Sequence, residues 1–173
     1  AAGLWEVIVP KPAAVSAHFA VWADGAERQA LNLQALLKDL ESIRTDLQTR
    51  YGFDPAKGLP ESYRVNLYVQ ARVEGRIEAL VNRVRKRDPK DAAYFEVGRN
   101  PADNFLVMRT DCAGKRESKA ILAHEYFHFL QAQYTRNSGA RWLWLDEASS
   151  VALEFDYTPN GLPEVTNTHC RFY

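Results

Sequence analysis

The sequence predicts an α+β domain, with strand-forming segments before residue 110 and two long helices after residue 111. Short runs of β-branched and aromatic residues, which β-sheets favour, mark four segments of the earlier part. In the later part, apolar residues continue over two segments that are long enough for helices. Strands followed by helices in one chain are typical of α+β architecture. We expect a small mixed or antiparallel sheet followed by two helices.

The first 110 residues are predicted to hold four strands and two helices. Apolar residues recur at intervals of three and four from Ala26 to Tyr51, which predicts one long helix. Asp24 is the expected N-cap of this helix, and Gly52 is its expected end. The other elements are expected as strands at 18–22, 63–69, 93–97 and 104–109, and as a second helix at 73–84.

Two further helices, at about 117–135 and 143–155, are predicted before an irregular C-terminal tail. The tail contains Pro159, Gly161 and Pro163, which interrupt regular structure. A chain of 173 residues fits one domain. We therefore expect a single domain over 1–173, with a sheet-rich part that holds two helices (1–110), a helical part (111–157) and an irregular tail (158–173).

The overall charge does not favour a nucleic acid as partner. The chain has 22 basic and 22 acidic residues, so its formal net charge is zero. Its apolar runs are far shorter than the roughly 20 residues that a membrane span requires. We expect no nucleic-acid partner, no membrane span and a secreted or periplasmic location, and the oligomeric state stays open.

Two cysteines, Cys112 and Cys170, are too few for a thiolate zinc site or a disulfide scaffold. One interpretation is a single bridge that ties the tail to the rest of the domain. Such a bridge would stabilise the fold by about 4 kcal/mol in the chain-entropy description. The other interpretation is a pair of unrelated reduced thiols.

The segment His124-Glu125-Tyr126-Phe127-His128 places two imidazoles and a carboxylate within about one helical turn. Residues i and i+4 lie on one face of a helix, so His124 and His128 can direct ring nitrogens at one point. Glu125 lies about 100° around the helix from His124, where it can take a proton from water instead of binding the metal. The alternative is a set of polar residues that merely lie on a buried helix. A chance HExxH in a chain of this length is expected on the order of one time in a hundred or less, which favours a metal site.

Two histidines do not complete a catalytic zinc site, because such sites normally use three protein ligands. Glu147 lies nineteen positions after His128, near the start of the next predicted helix. A turn over 136–141 would bring Glu147 back beside the histidines. Asp146 is the alternative ligand, and its other possible role is to orient a ligand imidazole.

The motif, an eighteen-residue spacer and Glu147 within Trp144-Leu145-Asp146-Glu147-Ala148 resemble the gluzincin zinc metallopeptidases. The resemblance is closest to the aminopeptidase-N and leukotriene-hydrolase type and to the peptidase MA-like domains. It implies a thermolysin-like catalytic domain that binds one Zn²⁺ and hydrolyses a peptide or protein substrate. The implied zinc ligands are His124, His128 and Glu147, and the implied general base is Glu125.

The resemblance also implies a substrate-binding strand and a group that stabilises the oxyanion. The strand that begins Asn104-Phe105-Leu106-Val107 would be the sheet edge that pairs with an extended substrate. The oxyanion donor would be Tyr157, His169 or Tyr173, although none lies at the usual distance of the family. The chain has no Gly-x-Met-Glu-Asn segment, which favours an endopeptidase over an aminopeptidase. Ala148 stands where the family usually has glycine.

Two other interpretations remain open. The chain could be a zinc-binding pseudo-peptidase that serves as a recognition module, because the oxyanion donor is missing from its usual place. It could also be a fragment of a larger peptidase. The intact Glu125 favours catalysis, since a purely structural site needs no base.

Overall fold

The computed structural model describes residues 11–23, 25–70, 93–96, 104–115, 117–135 and 143–158. These ranges form a five-stranded sheet and four helices, so the predicted α+β class is confirmed. None of the described helices is both long and apolar enough to span a membrane. The strands are β1 (Ala14–Val15), β2 (Phe19–Ala23), β3 (Val65–Gln70), β4 (Ala93–Glu96) and β5 (Phe105–Arg109). The helices are α1 (Gly25–Ala30), α2 (Leu33–Thr49), α3 (Ser118–Thr135) and α4 (Leu143–Tyr157).

The sheet is mixed, with strand order β1-β2-β3-β5-β4. The three central strands β2, β3 and β5 run parallel, and the outer strands β1 and β4 pair antiparallel with their neighbours. Phe19, Ala20 and Val21 of β2 are buried in succession. A continuous apolar run of this kind is typical of parallel strands that are covered on both faces.

Strand β5 is an internal strand of the sheet. It is hydrogen-bonded to β3 on one side and to β4 on the other, so the prediction that Asn104–Val107 forms the sheet edge is wrong. Asn104, Leu106 and Val107 are buried, and Phe105 is half-buried. The edge position belongs to β4, which has a neighbour on one side only within the described residues.

The long helix predicted over 26–51 is two helices, α1 and α2. The break falls at Asn32, whose backbone is not helical and whose side-chain oxygen accepts a hydrogen bond from the N–H of Ala35 at 3.0 Å. Asparagine is among the favoured N-cap residues because it satisfies a backbone donor that the helix leaves free. Gly52, the predicted end, has φ of +72°, a conformation that glycine adopts without steric cost.

Helix α3 contacts α2 and the strands β4 and β5 on the sheet side, and it contacts α4 elsewhere. Nearly all its side chains from Ala120 to Leu130 are buried, so this helix is covered almost all round. Aromatic contacts fix it to the sheet. The ring centroids of Tyr126 and Phe19 are 5.2 Å apart, and those of Phe129 and Phe95 are 6.1 Å apart.

Some predicted elements lie outside the described residues. These are the N-cap Asp24, the helix at 73–84, the connection between β4 and β5, the turn over 136–141, and all of the tail after Thr158. The predicted helices at 117–135 and 143–155 are confirmed as α3 and α4, which differ from the prediction by at most two residues at either end.

Glu41 of α2 holds the turn between β1 and β2 against the helix. Its carboxylate accepts hydrogen bonds from the Ser16 hydroxyl at 2.6 Å, from the His18 N–H at 2.9 Å and from His18 Nδ1 at 2.8 Å. Burial raises the pKa of Glu41, but these hydrogen bonds outweigh burial and hold the pKa below its usual value of 4.5. The ionised carboxylate is therefore the form that the folded state favours.

The substitution Glu41→Gln should lower the free energy of unfolding by about 1 kcal/mol at neutral pH, since an amide accepts weaker hydrogen bonds than a carboxylate. Because the folded-state pKa is lowered, this contribution is present above the usual pKa and is lost as pH falls through the lowered one. Urea unfolding at neutral and at acid pH measures the difference. The exposed Glu61→Gln is the matched control, and an equal loss in both variants would contradict the assigned role.

Cys112 is buried and disulfide-bonded. The other cysteine of the chain, Cys170, lies outside the described residues, so the Cys112–Cys170 pairing stays a prediction.

A thiol count on denatured, unreduced protein checks the pairing. We expect no free thiol in the monomer, because the chain has only these two cysteines. Two free thiols, or a disulfide-linked dimer on non-reducing gels, would contradict an internal bridge.

Candidate metal centre

Three side chains from two neighbouring helices converge on one point. His124 and His128 project from α3 with their Nε2 atoms 3.0 Å apart. The Glu147 carboxylate of α4 lies 3.5 Å from Nε2 of His124 and 3.4 Å from Nε2 of His128. For metal–ligand distances of about 2.0–2.1 Å, donors at the corners of a tetrahedron are roughly 3.3 Å apart. The Glu147 distances are to different oxygens, Oε2 toward His124 and Oε1 toward His128. One donor atom from each of the three residues lies within 4.8 Å of the other two, which is close enough for three ligands of one metal ion, as their spacing in sequence predicted.

The outer nitrogen of the His128 ring is held by Gln131. Nδ1 of His128 lies 2.7 Å from Oε1 of Gln131, an oxygen that only accepts hydrogen bonds. Nδ1 must therefore carry the hydrogen, and Nε2 must carry the lone pair.

The outer nitrogen of the His124 ring is held in the same way by an acidic side chain. Nδ1 of His124 is hydrogen-bonded to the carboxylate of Glu154, two turns after Glu147 on α4. In the neutral imidazole this places the hydrogen on Nδ1 and the lone pair on Nε2. Carboxylates that fix the tautomer of a ligand histidine are common around bound metals.

While both rings are neutral, the inner donor atoms of the cluster have no hydrogen to share among them. Two lone pairs and a carboxylate at these distances repel one another unless a positive charge lies between them. A cation at this point would remove the repulsion and satisfy all three donors. The residues present therefore fit a bound metal ion.

The pKa values of the two rings differ in direction. Burial lowers the pKa of His124, but its hydrogen bond to Glu154 and the charges of Glu125, Glu154 and Glu147 outweigh burial and raise it. Burial and the neighbouring His124 lower the pKa of His128. The site thus favours positive charge, but not on both rings together.

Glu125 is buried beside the first histidine on α3. Its negative charge is among those that raise the pKa of His124. The Glu147 side chain, in contrast, is 61% exposed. The cluster is therefore open to solvent at Glu147, whereas His124 and Glu125 are buried.

Asp146 contributes to the site through its main-chain carbonyl group. Its carbonyl oxygen accepts hydrogen bonds from Gln131 Nε2 at 2.9 Å and from the Ser150 hydroxyl at 2.9 Å. The carboxylate that bonds a ligand imidazole, a role predicted for Asp146, comes from Glu154. Glu147 is the residue whose carboxylate lies beside both histidines, as expected for the preferred third ligand.

Tyr157, the candidate oxyanion donor that lies within the described residues, is not brought to the cluster. The Tyr157 hydroxyl donates to Asp46 of α2 at 3.1 Å, and Tyr157 lies ten residues beyond Glu147, or about 15 Å along the axis of α4. His169 and Tyr173 lie outside the described residues. The substrate-binding role predicted for Asn104–Val107 loses its basis, since β5 is an internal strand.

Sequence reasoning missed Glu154 and Gln131. A signal for each is present in the sequence. Glu154 is seven residues after Glu147, which places both on nearly the same face of α4. Gln131 is three residues after His128, which makes the two neighbours on the surface of α3.

Comparison of the chain with protein-family models, curated proteins and solved structures finds no match in any of the three.

We expect Glu147→Gln to weaken metal binding by at least about 10–100-fold, since that is the loss that outer hydrogen-bond partners alone produce. Asp146→Asn makes the same chemical change one position earlier and keeps the carbonyl, so it should leave binding unchanged. Elemental analysis after dialysis, followed by chelator competition, measures both. Loss of metal in Asp146→Asn alone would reverse the ligand assignment.

Proposed function

We propose that the protein is a zinc-dependent hydrolase of peptide bonds. The observation that carries the proposal is the convergence of two imidazole lone pairs and the Glu147 carboxylate on one point, with Glu125 buried beside them. Two nitrogens, one oxygen and an open fourth position are the ligand set of catalytic zinc sites; structural zinc sites use four protein ligands. The solvent-exposed side of the cluster, at Glu147, leaves room for the fourth position.

Each residue then has a distinct task. His124, His128 and Glu147 would hold the zinc ion, and Glu154 and Gln131 would keep the two rings oriented toward it. Bound zinc supplies a Lewis acid that polarises the scissile carbonyl and acidifies water at neutral pH. Glu125 would accept the proton of the attacking water and then pass it to the leaving amine.

The substrate would bind along the sheet edge next to α3. Strand β4 (Ala93–Glu96) would take the role first predicted for β5, because β4 is the outermost strand of the described sheet and contacts α3. An extended peptide can add to such an edge through main-chain hydrogen bonds. The order of elements along the chain supports a thermolysin-like catalytic domain. A mixed sheet is followed by the helix with the two histidines and then by the helix with Glu147.

The proposal favours an endopeptidase. The chain lacks the Gly-x-Met-Glu-Asn segment with which gluzincin aminopeptidases hold a substrate N-terminus. Cleavage within an extended chain needs no such anchor, because the substrate strand is held on both sides of the cut.

A second candidate is a zinc-binding recognition module without turnover. The observation that favours it is the commitment of the Tyr157 hydroxyl to Asp46, away from the cluster. Loss of one oxyanion donor costs about 10²–10³ in rate, so such a site could bind peptide and cleave it very slowly.

The substitution Glu125→Gln should reduce peptide hydrolysis by about 10²–10⁴-fold, the usual contribution of a general base, and leave one zinc per chain. Glu117→Gln, about two turns earlier beside the start of α3, is the matched control and should keep full activity. Mass spectrometry of an unfolded protein substrate measures new termini, and internal ones identify an endopeptidase. Undiminished cleavage by Glu125→Gln would refute the mechanism. Zinc binding by a wild-type protein that produces no new termini would favour the recognition module.

A further inference from the structure

Gln131 makes hydrogen bonds to both helices that carry the candidate ligands. Its Oε1 lies 2.7 Å from Nδ1 of His128 on its own helix. Its Nε2 lies 2.9 Å from the carbonyl oxygen of Asp146 and 2.9 Å from Oγ of Ser149, both on α4. One side chain thus contacts a ligand ring and the backbone next to another ligand.

The hydrogen-bond network fixes the orientation of this amide. The Ser149 hydroxyl donates to the Leu145 carbonyl at 2.7 Å, so its oxygen is left as an acceptor toward Gln131. The Asp146 carbonyl is an acceptor as well. Only the NH₂ group can satisfy both, so the amide oxygen must face the His128 ring.

The contact with Asp146 has a consequence for the third ligand. Asp146 directly precedes Glu147 in α4, so a hydrogen bond to its carbonyl limits rotation and sliding of α4 where the ligand carboxylate leaves the helix. The same amide holds the His128 ring with its lone pair toward that carboxylate. A shift of one helix against the other would break the hydrogen bonds to α4 and leave the amide held by the His128 ring alone.

We propose that Gln131 is a positioning residue that couples the ring orientation of His128 to the placement of Glu147. The inference depends on the metal centre of the proposed function, and it assigns the assembly of that centre to a side chain that does not bind the metal. Outer hydrogen-bond partners of this kind commonly change metal affinity by about 10–100-fold.

Three variants separate the contact of Gln131 with the His128 ring from its contact with α4. Gln131→Leu removes both the acceptor and the donor, whereas Gln131→Glu keeps an acceptor for His128 and removes the donor to α4. Gln133→Leu is the matched control, because it makes the same change two residues later on α3. Within the described structure, the buried Nε2 of Gln133 has no hydrogen-bond partner.

Zinc affinity is measured by chelator competition, with thermal unfolding of the metal-free proteins in parallel. We expect Gln131→Leu to bind zinc about 10–100-fold more weakly than wild type, Gln131→Glu to lie between the two, and Gln133→Leu to match wild type. Affinity in Gln131→Glu equal to or tighter than wild type would overturn the coupling, since orientation of His128 alone would then suffice. Wild-type affinity in Gln131→Leu would overturn the whole role.

Long-range ¹H–¹⁵N correlation spectra of the metal-free proteins give a second readout, which a role in general stability would not change. We expect the His128 hydrogen on Nδ1 in wild type and in Gln131→Glu, and a mixture of tautomers in Gln131→Leu. An unchanged tautomer in Gln131→Leu would refute the orienting role even if that variant were less stable. Failure of the wild-type protein to bind zinc would instead refute the proposed function itself.

Discussion

The site depends on the mutual repulsion of the inner donor atoms of His124, His128 and Glu147. Their outer partners deny the two rings any other arrangement, because Glu154 and Gln131 occupy both Nδ1 atoms. The lone pairs must then face each other across 3.0 Å with a carboxylate beside them. With both rings neutral, such an arrangement is stable only around a positive charge, which a metal ion or a proton on one ring supplies. The hydrogen bonds outside the cluster therefore favour positive charge inside it.

The rest of the fold holds α3 firmly enough to keep that arrangement. Phe19 and Phe95 of the sheet pack against Tyr126 and Phe129, and α2 packs against the same helix. Helix α4 is placed differently, because its principal contacts are with α3 and because several of its apolar side chains remain exposed. Its position at the cluster therefore owes much to polar contacts, chiefly those of Gln131 and Glu154.

The three candidate metal ligands were predictable from the sequence. The way in which strands and helices pack against one another was less predictable. His124, His128 and Glu147 could be identified because helical periodicity and one turn suffice to bring them together. The position of β5 could not, since strand order in a sheet is set by pairing between distant segments. The break before α2 was missed because the apolar spacing continues through Asn32 and hides its capping role. Glu154 and Gln131 depend on how α3 and α4 meet, which periodicity within one helix does not give.

Glu154 and Gln131, which hold the outer nitrogens of the two rings, differ in charge. The difference follows from the other groups that each side chain contacts. Glu125, Glu147 and Glu154 already bring three carboxylates to the cluster, which a divalent ion would reduce to one net negative charge. A fourth carboxylate at position 131 would add charge and would face the Asp146 carbonyl and the Ser149 oxygen without a hydrogen to give. An amide accepts on one side and donates on the other, so it alone can face the His128 ring and the α4 backbone at the same time. A carboxylate suits the place of Glu154, where the contact with the cluster is a ring N–H that requires only an acceptor.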